Sequence, residues 1–165
     1  MDLPKECRSL EALRALNEDF NFAFAILKHA VRKDLSSFTF SDLRPPAILQ
    51  SRVPGAPVPH GDALATEVTI FEDHLHDRTT LLAQNVKMLR EIWAFNVRTR
   101  GFRQWELKSP ETARPAVDRI ADLVSALNSK EESRVLAALD QWLERRVLLI
   151  EALQRSTSTE ASNES

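Results

Sequence analysis

Tyrosine is missing from this chain of 165 residues, glycine occurs only 3 times and cysteine once. Strands and their tight turns draw on glycine, aromatic and β-branched residues. The β-branched clusters that mark strands do not occur here, so the fold class read from the sequence is all-α. The lone cysteine, Cys7, excludes an internal disulfide and suits a reducing compartment. No apolar run reaches the length that crosses a bilayer, and the start at Met1 lacks the charged-then-apolar pattern of a secretory leader. A cytoplasmic location without membrane contact is therefore expected. The formal charge is −2 with mixed signs, which offers no broad basic surface to a phosphate backbone, and direct nucleic-acid binding by this chain alone is not expected.

What is present is amphipathic helix. The chain is long enough for one domain that buries about two-thirds of its unfolded surface, and residues 1–155 are read as a single antiparallel helical bundle of about five to seven helices. From Ser9 to Asp34, Leu10, Leu13, Leu16, Phe20, Phe24, Leu27 and Val31 recur every three or four positions, with Phe22 and Ile26 widening the stripe. His29 falls beside it. Residues 35–61 break the pattern: Pro45, Pro46, Pro54, Pro57 and Pro59 forbid regular helix, leaving room for one short turn between Ser41 and Gln50. Asp62 is a candidate cap for the next helix, which Gln84 and Asn85 interrupt. Asn85 can cap a further helix to about Arg103, loosened by Gly101. Ser109-Pro110-Glu111 is a helix-start signature, complicated by Pro115. Ser129 to Glu132 reads as a capping box for a last helix to about Arg155, and residues 156–165 have the composition of a disordered tail.

The stretch Asp62 to Trp105 carries the only cluster of possible ligands: Glu72, Asp73, His74, His76 and Asp77. Glu72 and His76 are one helical turn apart and can meet. A carboxylate there would hold the imidazole tautomer or raise its pKa, giving a pH-sensitive pair, half of a metal site or a solvated salt bridge. Asp73 and His76 form one acid-x-x-His step, but a carboxylate-bridged metal bundle needs two. No serine stands in a Gly-x-Ser-x-Gly turn and Cys7 is near a terminus, so the chain is not read as an enzyme. Trp93 followed by Arg98, Arg100, Arg103 and Trp105 places forked donors beside an aromatic, a pattern that suits an anionic head group or a solvated helix end.

Over about Thr66 to Arg146 the register resembles the FCD domain, the ligand-sensing half of FadR-type GntR transcription regulators. The marks are Glu72, Leu75 and His76 on one helix, Asn85 opening the next, the start Ser109-Pro110-Glu111, and Leu143-Glu144-Arg145 late in the chain. In that family an acid and three histidines hold a metal ion, usually zinc or nickel, that helps to bind a small carboxylate. Here Glu72 replaces the usual Asp, His76 is kept, and Ile120 and Trp142 occupy the other two histidine positions. Glu72 and His76 alone are too few for a divalent ion, so the resemblance implies a lost metal site and no cofactor. FadR itself senses an acyl-CoA without that metal set. The winged-helix DNA-binding domain that precedes an FCD domain is not in this chain.

The resemblance implies a pocket whose polar end combines Glu72 and His76 with Arg98 or Arg100, and whose apolar end is Trp93, Ile120 and Trp142. The ligand would be a small organic acid or acyl compound, and the chain would act in transcription regulation as a homodimer or through a regulator partner. The alternative is a helical interaction or adaptor protein with no small-molecule ligand. One geometric expectation separates kinship from coincidence: His76, Ile120 and Trp142 should point from three helices into one interior.

Overall fold

The computed structural model describes residues 3–4, 7–50 and 57–163, with side chains as far as 159. The chain is an all-α helical bundle, and no strand occurs among the described residues. Helix α1 spans Leu10–Asp34, and Ser9 caps it by accepting from the Ala12 amide. A 3-10 turn, Leu35–Ser37, and the one-turn helix α2, Ala47–Gln50, are the regular structure of the proline-rich connection. Pro54 lies outside the described residues. Helix α3 covers Asp62–Thr80. Its cap is Gly61 rather than Asp62: the backbone there has φ of 123°, a region that glycine enters freely and other residues do not. Asp62 instead forms an exposed ion pair with Lys108.

Gln84, in the left-handed conformation, ends the 3-10 turn Leu81–Ala83 that follows α3. Asn85 then accepts from the Lys87 and Met88 amides and starts α4, Val86–Lys108. Gly101 does not end that helix, because Phe102, Arg103, Glu106 and Leu107 are buried beyond it and hold the last two turns. Helix α5, Pro110–Ser129, carries Pro110 in its first turn and Pro115 inside it. The expected capping box is replaced by a reversal: Lys130 is left-handed, the Ser129 hydroxyl accepts from the Glu131 amide, and α6 starts at Glu132. Helix α6 runs to Asn163, through most of the segment whose composition suggested a disordered tail. The hydroxyls of Ser156, Thr157, Ser158 and Thr159 each bond a carbonyl one turn back, so their side chains are satisfied within a helix nucleated upstream.

Three pairs of helices run antiparallel. Asp73 and Asp77 on α3 meet Arg100 and Asn96 on α4. Lys28 on α1 meets Asp140 on α6, while Leu10 and Arg14 lie beside Glu151 and Arg155. Arg119 on α5 meets Gln141 on α6, and Ser125 meets Arg134. One continuous apolar core fills the space between them. Its centre is aromatic: Phe20 packs edge-on against Phe95 and Phe102 at 5.4 and 5.8 Å, and Phe24 against Trp142 at 5.2 Å. Phe22, assigned to the apolar stripe from spacing, is exposed. The buried face of α1 is the 13-16-20-23-24-27-31 stripe, which turns Phe22 to the far side.

Candidate functional site: a buried ion network beside His76 and Trp142

The middle of α3 contributes charge to the core. Glu72 is fully buried, and each of its oxygens meets an arginine: Oε2 accepts from Arg103 Nη1 at 3.1 Å and Oε1 from Arg146 Nη2 at 2.8 Å. Arg103, on α4, also donates to Asp73 at 2.6 Å, to the Asn96 carbonyl at 2.8 Å and to the Thr99 hydroxyl at 3.0 Å. Arg146, on α6, turns its Nε and Nη2 toward Glu106 Oε2 at 3.3 and 3.2 Å. Its guanidinium carbon lies 4.5 Å from the Trp142 ring and 4.8 Å from the Phe20 ring. The buried Glu72 and Glu106 and the partly buried Asp73 thus surround two buried guanidiniums, so each ion taken from water has an opposite charge beside it, the condition under which buried ions are tolerated.

His76 stands one turn after Glu72 and is also buried. Its ring is tilted against Trp142 and Phe95, with centroids 5.6 Å from each. The partner that orients it is Asn96 rather than Glu72: Nδ1 and Asn96 Oδ1 are 2.8 Å apart. The Asn96 amide nitrogen faces two acceptors, the Asp73 carbonyl and Asp77 Oδ1. Reversing the amide would set oxygen against oxygen there, so Oδ1 faces the ring and Nδ1 carries the proton. The imidazole pKa is lowered to about 4, first by burial and then by Arg103, with Glu72 and Asn96 pulling the other way. His76 is therefore a neutral ring whose Nε2 is a bare lone pair, and the expected rise in pKa from Glu72 is reversed by burial. Burial pushes the Glu72 carboxyl up, but the guanidiniums of Arg146 and Arg103 hold it below its ordinary value. The Glu106 carboxyl is raised, by burial first and by Glu72 against the opposing pull of Arg146.

The sequence-derived site divides in two. Glu72, His76, Ile120 and Trp142 are all buried, from α3, α5 and α6, and Ile120 and Trp142 belong to one apolar core. Trp93, Arg98 and Arg100 are on the surface. Trp93 is 51% exposed with its indole bonded to Asp77. Arg98 pairs with Asp19 and Glu91, and Arg100 with Asp73. The helical register decides this: in α4 the inward positions are 92, 95, 96, 99, 102, 103 and 106, so Arg103 enters the core and its neighbours at 98 and 100 do not.

Spacing alone missed Arg103 and Glu106 as core residues, and Arg146 most of all. The signal was available as a polar residue in register with buried ones: Leu139, Trp142, Arg146 and Ile150 form one stripe, all buried, while Leu143 and Val147 are only half-buried.

The donor set does not fit a divalent ion. Both Glu72 oxygens are taken by guanidiniums, Ile120 offers hydrocarbon and Trp142 only an N–H. Among the described residues no three of His, Cys, Asp and Glu stand together as a metal site. Four surface clefts of about 420 to 630 Å³ are lined by other residues, and none of them by Glu72, His76, Ile120 or Trp142.

Among the described residues, six buried side-chain polar atoms have no hydrogen-bond partner: Thr69 Oγ1 and Arg145 Nε, and, on residues in or beside the ion network, His76 Nε2, Trp142 Nε1, Arg146 Nη1 and Glu106 Oε1. The last four residues are in contact in series: His76 with Trp142, Trp142 with Arg146, and Arg146 with Glu106. Each such atom costs about 1–3 kcal/mol if left unpaired. Among the described residues no helix is long and apolar enough to cross a membrane. No family model, curated protein or solved structure matches the chain, so its placement rests on its own residues.

Proposed function

We propose that the chain is an effector-sensing helical domain of the FCD type, binding a small organic acid or acyl compound at the centre of its bundle. It would regulate transcription through a partner that supplies the DNA-binding half. The observation that carries this reading is the group of four unpartnered polar atoms around Trp142 and His76. Native cores leave few such atoms, and a bound polar molecule would supply partners that the protein does not. In the family register His76 and Trp142 stand at two of the metal-ligand positions. The ion network suits this role: Arg103 and Arg146 put cationic groups on Glu72, where the metal-bearing relatives have an ion. Binding at Trp142 would be felt on α3, α4 and α6 together, because the network ties these three helices.

A thermal-shift screen of small carboxylates and acyl compounds, with metal analysis of the purified protein, tests the reading. The expected result is a rise in Tm with at least one class of compound and no stoichiometric metal. No response to any compound overturns it.

A second reading, a helical interaction protein, is favoured by a separate observation. Val86, Trp93 and Val97 are large apolar residues more than half exposed, spaced along one face of α4. It predicts self-association or a protein partner with no ligand response, and solution mass distinguishes the first of these.

A further inference from the structure

A cleft of about 630 Å³ between α5 and α6 stands apart from the effector site proposed above, since no residue of that site lines it. Its charged lining is equal in number, with Arg114, Arg119 and Arg145 against Asp118, Asp122 and Glu144, but the arginines are not equally served. Arg119 pairs with Asp122 at 3.5 Å and donates to Gln141 at 3.0 Å. Arg145 has no ion pair among the described residues. Of the donors in its guanidinium fork it uses a single one, in a long bond of 3.4 Å to the Thr112 carbonyl, and its buried Nε has no acceptor. Its pKa is lowered by burial first; Glu106 opposes that, and Arg146 and Arg119 add to it. Glu106 is already bonded to Arg146. Arg145 is therefore a half-buried cation with less than one carboxylate to itself, on the wall of an open cleft.

Along α6 the cleft runs from a polar end at Gln141, past Arg145, to an apolar end at Leu148 and Leu149, with Pro115 beside them on α5. Leu148 is 56% exposed, a large apolar side chain that the fold itself leaves in water. Leu149 lies one turn beyond Arg145, about 5.4 Å along the axis. We propose that this cleft binds a monocarboxylic acid with a hydrocarbon tail of a few carbons, its carboxylate on the Arg145 guanidinium and its tail along Pro115, Leu148 and Leu149. A carboxylate matches the fork and supplies the charge that Arg145 lacks. The ion pair alone holds weakly at a site open to water, so the tail decides affinity, at roughly threefold per methylene buried. Propionate is too short to cover the turn to Leu149, and inorganic phosphate has no tail. Asp118, Asp122 and Glu144 repel a second negative charge, so a dicarboxylate of the same length is disfavoured.

The test uses the full chain labelled with nitrogen-15 and reads two signals in one spectrum, the Arg145 Nε–H and the Trp142 indole N–H. Arg145→Lys and Trp142→Phe assign them, the first keeping a cation at the cleft and the second an aromatic ring in the core. The probes are hexanoate, adipate and inorganic phosphate. The expected result is a saturable movement of the Arg145 signal with hexanoate, with affinity about tenfold above that of adipate or phosphate. Leu148→Ser, at an exposed position where the change does not threaten the fold, should weaken hexanoate by about tenfold. Equal binding of adipate or phosphate overturns the proposal, and so does an affinity for hexanoate that Leu148→Ser leaves unchanged. If hexanoate moves the indole signal alone, the cleft proposal fails and the effector reading of the bundle centre stands. If it moves the Arg145 signal and not the indole, the cleft proposal holds independently of that reading. No movement of either signal overturns it.

Discussion

Glu72 is the residue on which the centre of this molecule depends. Among the described residues it alone of the carboxylates meets both buried guanidiniums, so Glu72→Gln would leave Arg103 and Arg146 with less than their charge matched. The expected loss is about 3–5 kcal/mol, measured by urea unfolding. Arg100→Ala removes an ion pair to the same part of α3, but one whose arginine side chain is 50% exposed, and should cost no more than about 1 kcal/mol. A similar loss for the two variants would contradict the burial argument. His76 gives a pH signature. Its folded pKa of about 4 lies below the unfolded value near 6.5, so the unfolded chain binds the extra proton between these values. Stability from this group is complete above about pH 6.5 and is lost as pH falls toward 4, by on the order of 3 kcal/mol. The stability profile of His76→Gln should be flatter across that window, and an unchanged slope would show that the imidazole is solvated.

At the scale of elements, local chemistry made the boundaries legible. Asn85 was readable as a cap because a side-chain oxygen before an apolar-periodic run suits the free amides of the first turn, and Ser9 caps α1 by the same chemistry. Asn85→Ala should cost about 1 kcal/mol by thermal unfolding. The start of α3 was less legible: Asp62 resembles a cap, yet the positive φ at Gly61 decides the entry of the chain. Gly61→Ala should destabilise by roughly 1 kcal/mol through backbone conformation alone, since an added Cβ there has no atom within 4 Å. Which face of a helix is buried was harder to read. In α6 the core takes Trp142 and Arg146, while Leu143 and Val147 are only half-buried. Periodicity weights every apolar residue alike and gives a buried arginine no credit, so Arg146 goes unseen. The same blindness moved the expected arginine from 103 to 98 and 100. The length of α6 was underestimated because composition does not register hydroxyls bonding back along a helix that is already formed.

Across the whole molecule, the bundle holds its polar centre from four sides: Phe20 and Phe24 from α1, Glu72 and His76 from α3, Arg103 and Glu106 from α4, and Trp142 and Arg146 from α6. The proposed site is therefore a property of the tertiary structure and of no single segment, which is why Arg146 and Glu106 were not legible in the sequence. Ile120 is buried in the same core on α5, and of the three-helix convergence expected of His76, Ile120 and Trp142 the contact between the first and the last is a ring contact at 5.6 Å. Calorimetric titration of propionate at pH 6 into the wild-type chain and into Trp142→Phe tests most directly whether the centre of the bundle is a binding site. Saturable binding to the wild type, weakened about tenfold in the variant by the loss of one buried hydrogen bond, is the predicted result. Equal affinity in the two proteins, or no binding to either, would contradict it.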